Sequence, residues 1–404
     1  MQPSSTPRQA YLDWLRIIAI IGVLFFHSAM PYVAGWDWHI KNKETSNVLL
    51  EFNDFLHRFR MPLLFFISGT VSYYMMQRRT GGSFIVLRLK RLFIPLLVSM
   101  LIIVPPQVYM ERLTQGFKGN FRDFYPSIFT TGAYPHGNMS WHHLWFICYL
   151  VVYDILFAPF FAWLVSDRGK RFLQRFNRIA TGSNIYLIIL PGIIIYTVMA
   201  FRFPETNDLV HDYGYFPYWL TYVLAGFICI ANPVFMDSIE RNRRTSLLIA
   251  FITIIFINYL RWNKLEPWVA LADFRHDPRT YLFMTLSAIS AWMWVLTAVG
   301  YGKKYLNRKW SGLNYLNQAV YPFYILHQTV IVIITYYVVQ APDGIGLKYT
   351  FTVLVTFLVS MAIFHLFIRP FAVMRFLFGM KTEKRAKANT LNAIETPVIP
   401  ALSA

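Results

Sequence analysis

Charged residues are scarce in this chain. Only 14% of its 404 residues are Asp, Glu, Lys or Arg, while 56% are hydrophobic and 18% aromatic. That balance cannot clothe a water-facing surface and excludes an ordinary soluble domain. A mean hydropathy of +0.41 agrees. Cysteine is almost absent. Cys148 and Cys229 both lie in apolar runs, which excludes a disulfide framework and a thiolate metal motif and leaves two small buried side chains. The chain has no Gly-rich phosphate loop, no GxSxG, no internal repeat and no sustained heptad. P-loop nucleotide chemistry, a nucleophile elbow and a coiled coil are excluded with them.

What is present is a series of apolar runs. About ten are long enough to cross roughly 30 Å of hydrocarbon: 11–32, 61–76, 92–109, 144–165, 185–200, 218–234, 246–260, 281–299, 314–339 and 349–367. They predict an all-α polytopic membrane protein, one bundle of about ten transmembrane helices. The first run continues beyond the length of a signal core and is read as retained. Residues 1–10 and 379–404 read as disordered ends around a transmembrane domain at 11–378.

The net charge of +18 invites a nucleic-acid reading, but the charge is segregated. Segments 1–16, 77–91, 166–184, 235–245, 300–312 and 368–404 carry 25 basic and 6 acidic residues. Segments 33–60, 110–143, 201–217, 261–280 and 338–348, on the opposite side, carry 13 of each. The positive-inside rule makes the basic face cytoplasmic, with both termini on it, in a plasma (inner) membrane. No nucleic-acid partner is needed; the bilayer accounts for the charge.

The first run, Tyr11 to Tyr32, holds Asp13 and Arg16 at its entrance and His27 deep inside. Ionisable groups in a span cost about 2.5–3.5 kcal/mol each and mark pathways or sites. Arg16 and His27 are eleven positions apart, which places them on nearly one helix face about 16 Å apart along the axis. Arg88 and Arg91, three apart at the mouth of the third run, suit phosphate. Asp154 is the one acid placed inside the membrane, where it needs a partner. Tyr321, Tyr324 and His327 recur along one side of the ninth run. Ser68-Gly69 lets another helix come close. On the outer side, His57, Arg58 and Arg60 form a basic group, and the aromatic loop 110–143 closes with Trp141-His142-His143. Neighbouring histidines diverge and no ligand cluster follows at metal spacing, so no metal site is predicted.

Three arginines, Arg16, Arg88 and Arg91, with a histidine about 16 Å deeper, fit a long donor whose phosphates stay at the surface while a slim arm reaches inward. Acyl-coenzyme A has that shape. It would act as a co-substrate, with no permanently bound cofactor. His27 would serve as general base on an acceptor hydroxyl or accept the acyl group itself. Asp13, Tyr324 and His327 are candidate supporting residues.

Several stretches carry a resemblance. They are Tyr11-Leu12-Asp13-Trp14-Leu15-Arg16 leading to Phe26-His27, Met61-Pro62-Leu63-Leu64-Phe65-Phe66-Ile67-Ser68-Gly69, Arg88-x-x-Arg91 before Pro95, and Tyr321-Pro322-Phe323-Tyr324-Ile325-Leu326-His327. The chain resembles the acyltransferase-3 family of integral membrane acyltransferases over roughly residues 8–378. His143-Leu144-Trp145-Phe146 and the late motif resemble its glucan-biosynthesis protein C branch, linked to succinylation of periplasmic glucans. The resemblance implies transfer of an acetyl or succinyl group from a cytoplasmic donor to a carbohydrate hydroxyl across the membrane. Many members of the wider family carry a Trp-Ser-Leu-x-x-Glu segment; aligned on Trp145, this chain has Leu150 in place of the Glu. Acceptor-side roles are therefore not carried over. Competing readings are a transporter or flippase of an anionic or lipid-linked metabolite and a sensor with lost chemistry. The first lacks a matching pair of interrupted helices, and the intact Arg16–His27 pair opposes the second.

Overall fold

The computed structural model of the chain describes residues 9–178 and 180–381. Regular structure in this range is helical apart from two isolated bridges, with loops between the helices. Ten long helices succeed one another: α1 (Ala10–Ala29), α2 (Asn47–Met76), α3 (Gly81–Thr114), α4 (Trp145–Val165), α5 (Gly182–Met199), α6 (Tyr215–Ala231), α7 (Arg243–Trp262), α8 (Pro278–Tyr305), α9 (Leu313–Val338) and α10 (Ile345–Ile368). Among the described residues eight helices are long and apolar enough to cross a membrane. They are nine if α6 and the segment Pro233–Arg241, bent by 104°, count as one span. The remaining apolar run, 61–76, is the second half of the 30-residue α2, whose first half carries Glu51, Asp54, Arg58 and Arg60. This is a multi-pass membrane protein.

Local sequence sets the helix ends. Ser46 caps α2 by accepting from the Leu49 N–H at 3.3 Å. Helix α6 was expected to run to residue 234 but stops at Ala231. Pro233 disfavours helical dihedrals in its predecessor, and Asn232 lies extended at φ −128° and ψ 109°. Gln9 and Ala10, read from sequence as part of a disordered end, open α1. Residues 1–8 and the tail from residue 382 lie outside the described residues.

Helices α8 and α9 are mostly buried, whereas α5 and α7 are mostly exposed and apolar, as a lipid-facing rim requires. Helix α1 packs on α2, α8, α9 and α10. It buries Tyr11, Leu15, Val23 and Leu24 while presenting Ile18, Ile21 and Phe25 outward. The close approach expected at Ser68-Gly69 is made by α6. A Cβ on Gly69 would collide with the Val223 carbonyl oxygen, and one on Gly226 with that of Phe66. The two backbones touch through a reciprocal pair of glycines.

Prolines shape the cavity wall. Three π-turns, Leu89–Phe93, Ser99–Ile103 and Phe364–Ile368, stand just ahead of Pro95, Pro105 and Pro370. Proline donates no hydrogen bond and its ring crowds the carbonyl four residues back. The residue before each one reaches five residues back instead: Ile94 to Leu89, Val104 to Ser99 and Arg369 to Phe364. At the first π-turn the Arg91 carbonyl is approached by Gly379 (φ +67°), where a side chain would strike it. Gly379 thus seats residues 379–381, assigned by sequence to the disordered tail, against α3.

Candidate active site

Two polar regions lie along α1. At its Arg16 end is a cavity of about 970 Å³, within the range of small-molecule sites. Arg16, Arg88 and Arg91 all line it, joined by Arg375 and Lys381 from the segment after α10. The three arginines assigned to donor binding therefore share one chamber, though α1 and α3 bring them from distant parts of the chain. Arg16 lies 3.9 Å from Asp13 and donates to the Asn317 carbonyl at 3.3 Å. Arg88 is buried and gives its Nε–H to Asp154 at 2.5 Å, while Ser72 donates to the other Asp154 oxygen at 2.8 Å. Asp154 ties α2, α3 and α4 together, and it also fixes Arg88 in the wall. Leu150 lines the same chamber.

At the other end of α1 the histidines meet. His27 Nδ1 lies 2.8 Å from His327 Nε2, their rings stacked at 5.1 Å and 8°. His327 is fully buried, and its Nδ1 lies 2.6 Å from the Tyr324 carbonyl. A carbonyl only accepts, so the His327 proton sits on Nδ1 and Nε2 is left as the acceptor. In the neutral pair, His27 must then carry its proton on Nδ1. Its Nε2, which makes no hydrogen bond among the described residues, is the basic atom. Trp38 covers His27 at 5.4 Å and Phe323 backs His327 at 6.1 Å. His143 completes the group, 5.1 Å from His327, and bonds the Ile325 carbonyl at 3.1 Å.

Tyr324 joins the two regions. It lines the cavity, its ring lies 5.6 Å from His327, and its hydroxyl donates to the His143 carbonyl. Asp13 stays with the cavity end, beside Arg16. Sequence reasoning paired Arg16 with His27 and left His327 unpartnered; the two histidines are 300 positions apart, and no local spacing could join them. His39, Glu111 and Gln328 were missed for the same reason.

Beside His27 the expected basic group divides. Arg58 is taken up by Asp54 at 2.8 Å. Arg60 is buried, with its guanidinium 3.4 Å above the Phe26 ring and one nitrogen 3.1 Å from His57. Its Nε has no partner among the described residues. His57 lies 4.0 Å from Glu205, in the loop between α5 and α6. Burial, with Asp212 adding repulsion, pushes the Glu205 carboxyl up to about 7 against the pull of Arg60.

Comparison with known proteins identifies the family of the chain. The family described as an acyltransferase domain matches residues 9–365. Glucans biosynthesis protein C of Escherichia coli strain SMS-3-5 / SECEC is 24% identical over 341 residues, covering 81% of this chain and 83% of the relative. The protein of the same name from strain K12 is 23% identical over 341 residues, with the same coverage. No solved structure matches the chain. The chain belongs to the acyltransferase family, and it is a membrane acyltransferase.

Proposed function

We propose that this acyltransferase moves an acyl group from cytoplasmic acyl-CoA to a hydroxyl of an extracytoplasmic glucan or other polysaccharide. In this reading the basic end of the bundle and both termini are cytoplasmic, in the inner membrane. The observation that carries it is the tautomer imposed on His27: Tyr324 and His327 leave a basic Nε2 beyond Tyr324, the residue shared with an arginine-lined chamber.

Arg16, Arg88 and Arg91 would hold the donor's phosphates, and the pantetheine arm would pass Tyr324 toward His27. Acting as base, His27 Nε2 takes the proton of the acceptor hydroxyl while that oxygen attacks the thioester carbonyl. The C–S bond breaks, and the coenzyme A thiolate leaves and receives the proton. In the covalent variant, Nε2 attacks the carbonyl first and expels the coenzyme A thiolate; the hydroxyl then displaces the imidazole, and its proton passes to the thiolate. His327 steadies positive charge on His27 in either route. Of the two acyl groups considered, succinyl is favoured by Arg60, a buried cation beside Phe26 with an unpartnered Nε. The relatives' name directs attention to glucans as acceptors.

The test is release of free coenzyme A from acetyl- and succinyl-CoA by purified protein in detergent, with and without a glucan acceptor. Acceptor-dependent release by wild type but not by His27→Ala is the expected result. No release from folded protein, or movement of a metabolite across vesicles without consumption of acyl-CoA, overturns the reading in favour of transport.

A further inference from the structure

Near Trp38, which also stacks on His27, three side chains from separate parts of the chain converge. His39 comes from the loop after α1, Glu111 from the last turn of α3, and His142 from the turn that leads into α4. One nitrogen or carboxylate oxygen from each lies within 4.8 Å of the others. His39 Nδ1 contacts Glu111 Oε2 directly. The two imidazoles stand edge to face at 4.6 Å. Glu111 is buried, and His142 Nε2 is buried with no hydrogen-bond partner among the described residues. A buried ring nitrogen without a hydrogen-bond partner is costly. Here it is held in place by a backbone at φ +40°, a conformation that non-glycine residues adopt at a cost of about 1–3 kcal/mol.

We propose that His39, Glu111 and His142 form a binding site for a divalent transition-metal ion. Two imidazoles and one carboxylate suit zinc, and they leave a fourth position for water or a substrate oxygen. The same set disfavours calcium and magnesium, which take oxygen ligands.

The surroundings match what a metal site needs behind its ligands. Tyr134 donates to Glu111 Oε1 at 3.1 Å and Gln115 at 3.3 Å. The Gln328 amide lies 3.2 Å from His39 Nε2, and Gln328 is itself held by Gln107 at 3.3 Å. Gln107 reaches on to Thr329 at 2.8 Å. Without metal, the His39 proton sits on Nδ1 and faces Glu111. With metal on Nδ1, that proton moves to Nε2, and Gln328 accepts it by turning its amide oxygen toward His39 and giving up its bond to Gln107. No proton need be lost, and each ligand keeps a fixed orientation. Zinc–ligand distances of about 2.0–2.2 Å place tetrahedral donors roughly 3.3 Å apart, so the donors, now within 4.8 Å of one another, close on an ion by side-chain adjustment.

The site lies close to the reacting imidazole. The Trp38 ring stands 5.4 Å from His27 and 4.7 Å from His39. One indole thus contacts both His27 and a proposed ligand, at the end of α1 remote from the arginine chamber. The proposal does not depend on acyl transfer, because it concerns binding of the metal itself.

The test uses the full chain, purified in detergent without a polyhistidine tag, stripped with chelator and titrated with zinc ion alone. One equivalent per chain is expected, with a rise in Tm. Glu111→Gln and His142→Asn should each weaken binding by at least about 100-fold, while His276→Asn, an exposed histidine far along the chain, should leave it unchanged. Cobalt ion supplied to wild type should give the intense visible bands of a four- or five-coordinate site, which keeps the proposal testable if a variant fails to fold. Binding of less than half an equivalent, unchanged affinity in both ligand variants, or the faint spectrum of hydrated cobalt would overturn it. The cluster would then be a hydrogen-bonded one only.

Discussion

The two ends of α1 solve opposite problems. At the Arg16 end, cations gather around a chamber of about 970 Å³, and Asp154 holds Arg88 in its wall. At the His27 end, rings pack on rings, and each histidine is placed by the next group it bonds or stacks against. A roomy basic chamber suits a large anionic ligand that must come and go. A tight, neutral, hydrogen-bonded pair suits a group whose proton must be in one place. In the proposed reading, binding and chemistry are thus separated along one helix, with Tyr324 shared between them.

The sharpest way to break this division is at the chemical end. His27→Ala should lower acceptor-dependent release of coenzyme A by at least about 10³-fold, with the protein still inserted and accumulating. Measurable turnover within about tenfold of wild type would move the chemistry elsewhere. A comparable effect at the other end should appear in stability. Asp154→Ala leaves the buried Arg88 charge without its partner, a loss of about 3–5 kcal/mol, read as a fall in Tm in detergent. An unchanged Tm would show that Arg88 turns outward and finds water.

The next pair of experiments separates the two ends kinetically. His327→Leu should lower kcat about 100-fold without raising KM for acyl-CoA, and His327→Gln should recover part of it by offering an oxygen to His27 Nδ1–H. Arg16→Ala and Arg91→Ala should do the reverse, raising KM for the donor about tenfold or more at similar kcat. If His327→Leu acts on KM, the histidine pair belongs to the donor site and the division fails. Arg60→Gln should reduce succinyl relative to acetyl transfer by about tenfold, measured as a ratio of kcat/KM. An unaltered ratio would remove Arg60 from acyl recognition.

The smallest effect concerns pH. Glu205 titrates near 7 in the fold and near 4.3 in an unfolded chain. Between those values the folded state holds a proton that the unfolded state has lost. Stability therefore falls as pH rises through that window and levels off above it. Glu205→Gln should remove that fall, on the order of 1–3 kcal/mol. The variant should thus gain in Tm at pH 8 and show almost no change at pH 4. Parallel pH profiles for the two proteins would mean that Glu205 remains solvated.

Much of this was legible in the chain itself. A membrane offers no water to backbone groups, so apolar runs of sufficient length must become helices, and the periodicity of α1 and α9 marked which residues lie together. The need of Asp154 for a partner was legible too, because an unpaired acid in a span is untenable. The proline effects were not: whether a proline kinks, ends or π-widens a helix depends on what packs beside it. Pro95 widens α3, whereas Pro233 ends α6. Nor could sequence tell that Arg58 would be taken up by Asp54 while Arg60 stayed buried beside Phe26.

The sequence by itself determined the class of molecule, the positions of its helices, and the presence of Arg16 and His27 on one face, because these follow from local periodicity and the cost of polarity in lipid. Tertiary structure alone decided that His327 partners His27 and sets its tautomer, that α3 brings Arg88 and Arg91 to Arg16, and that His39, Glu111 and His142 converge. Those contacts join residues up to 300 positions apart. They arise from the way helices pack, which no short stretch of sequence encodes.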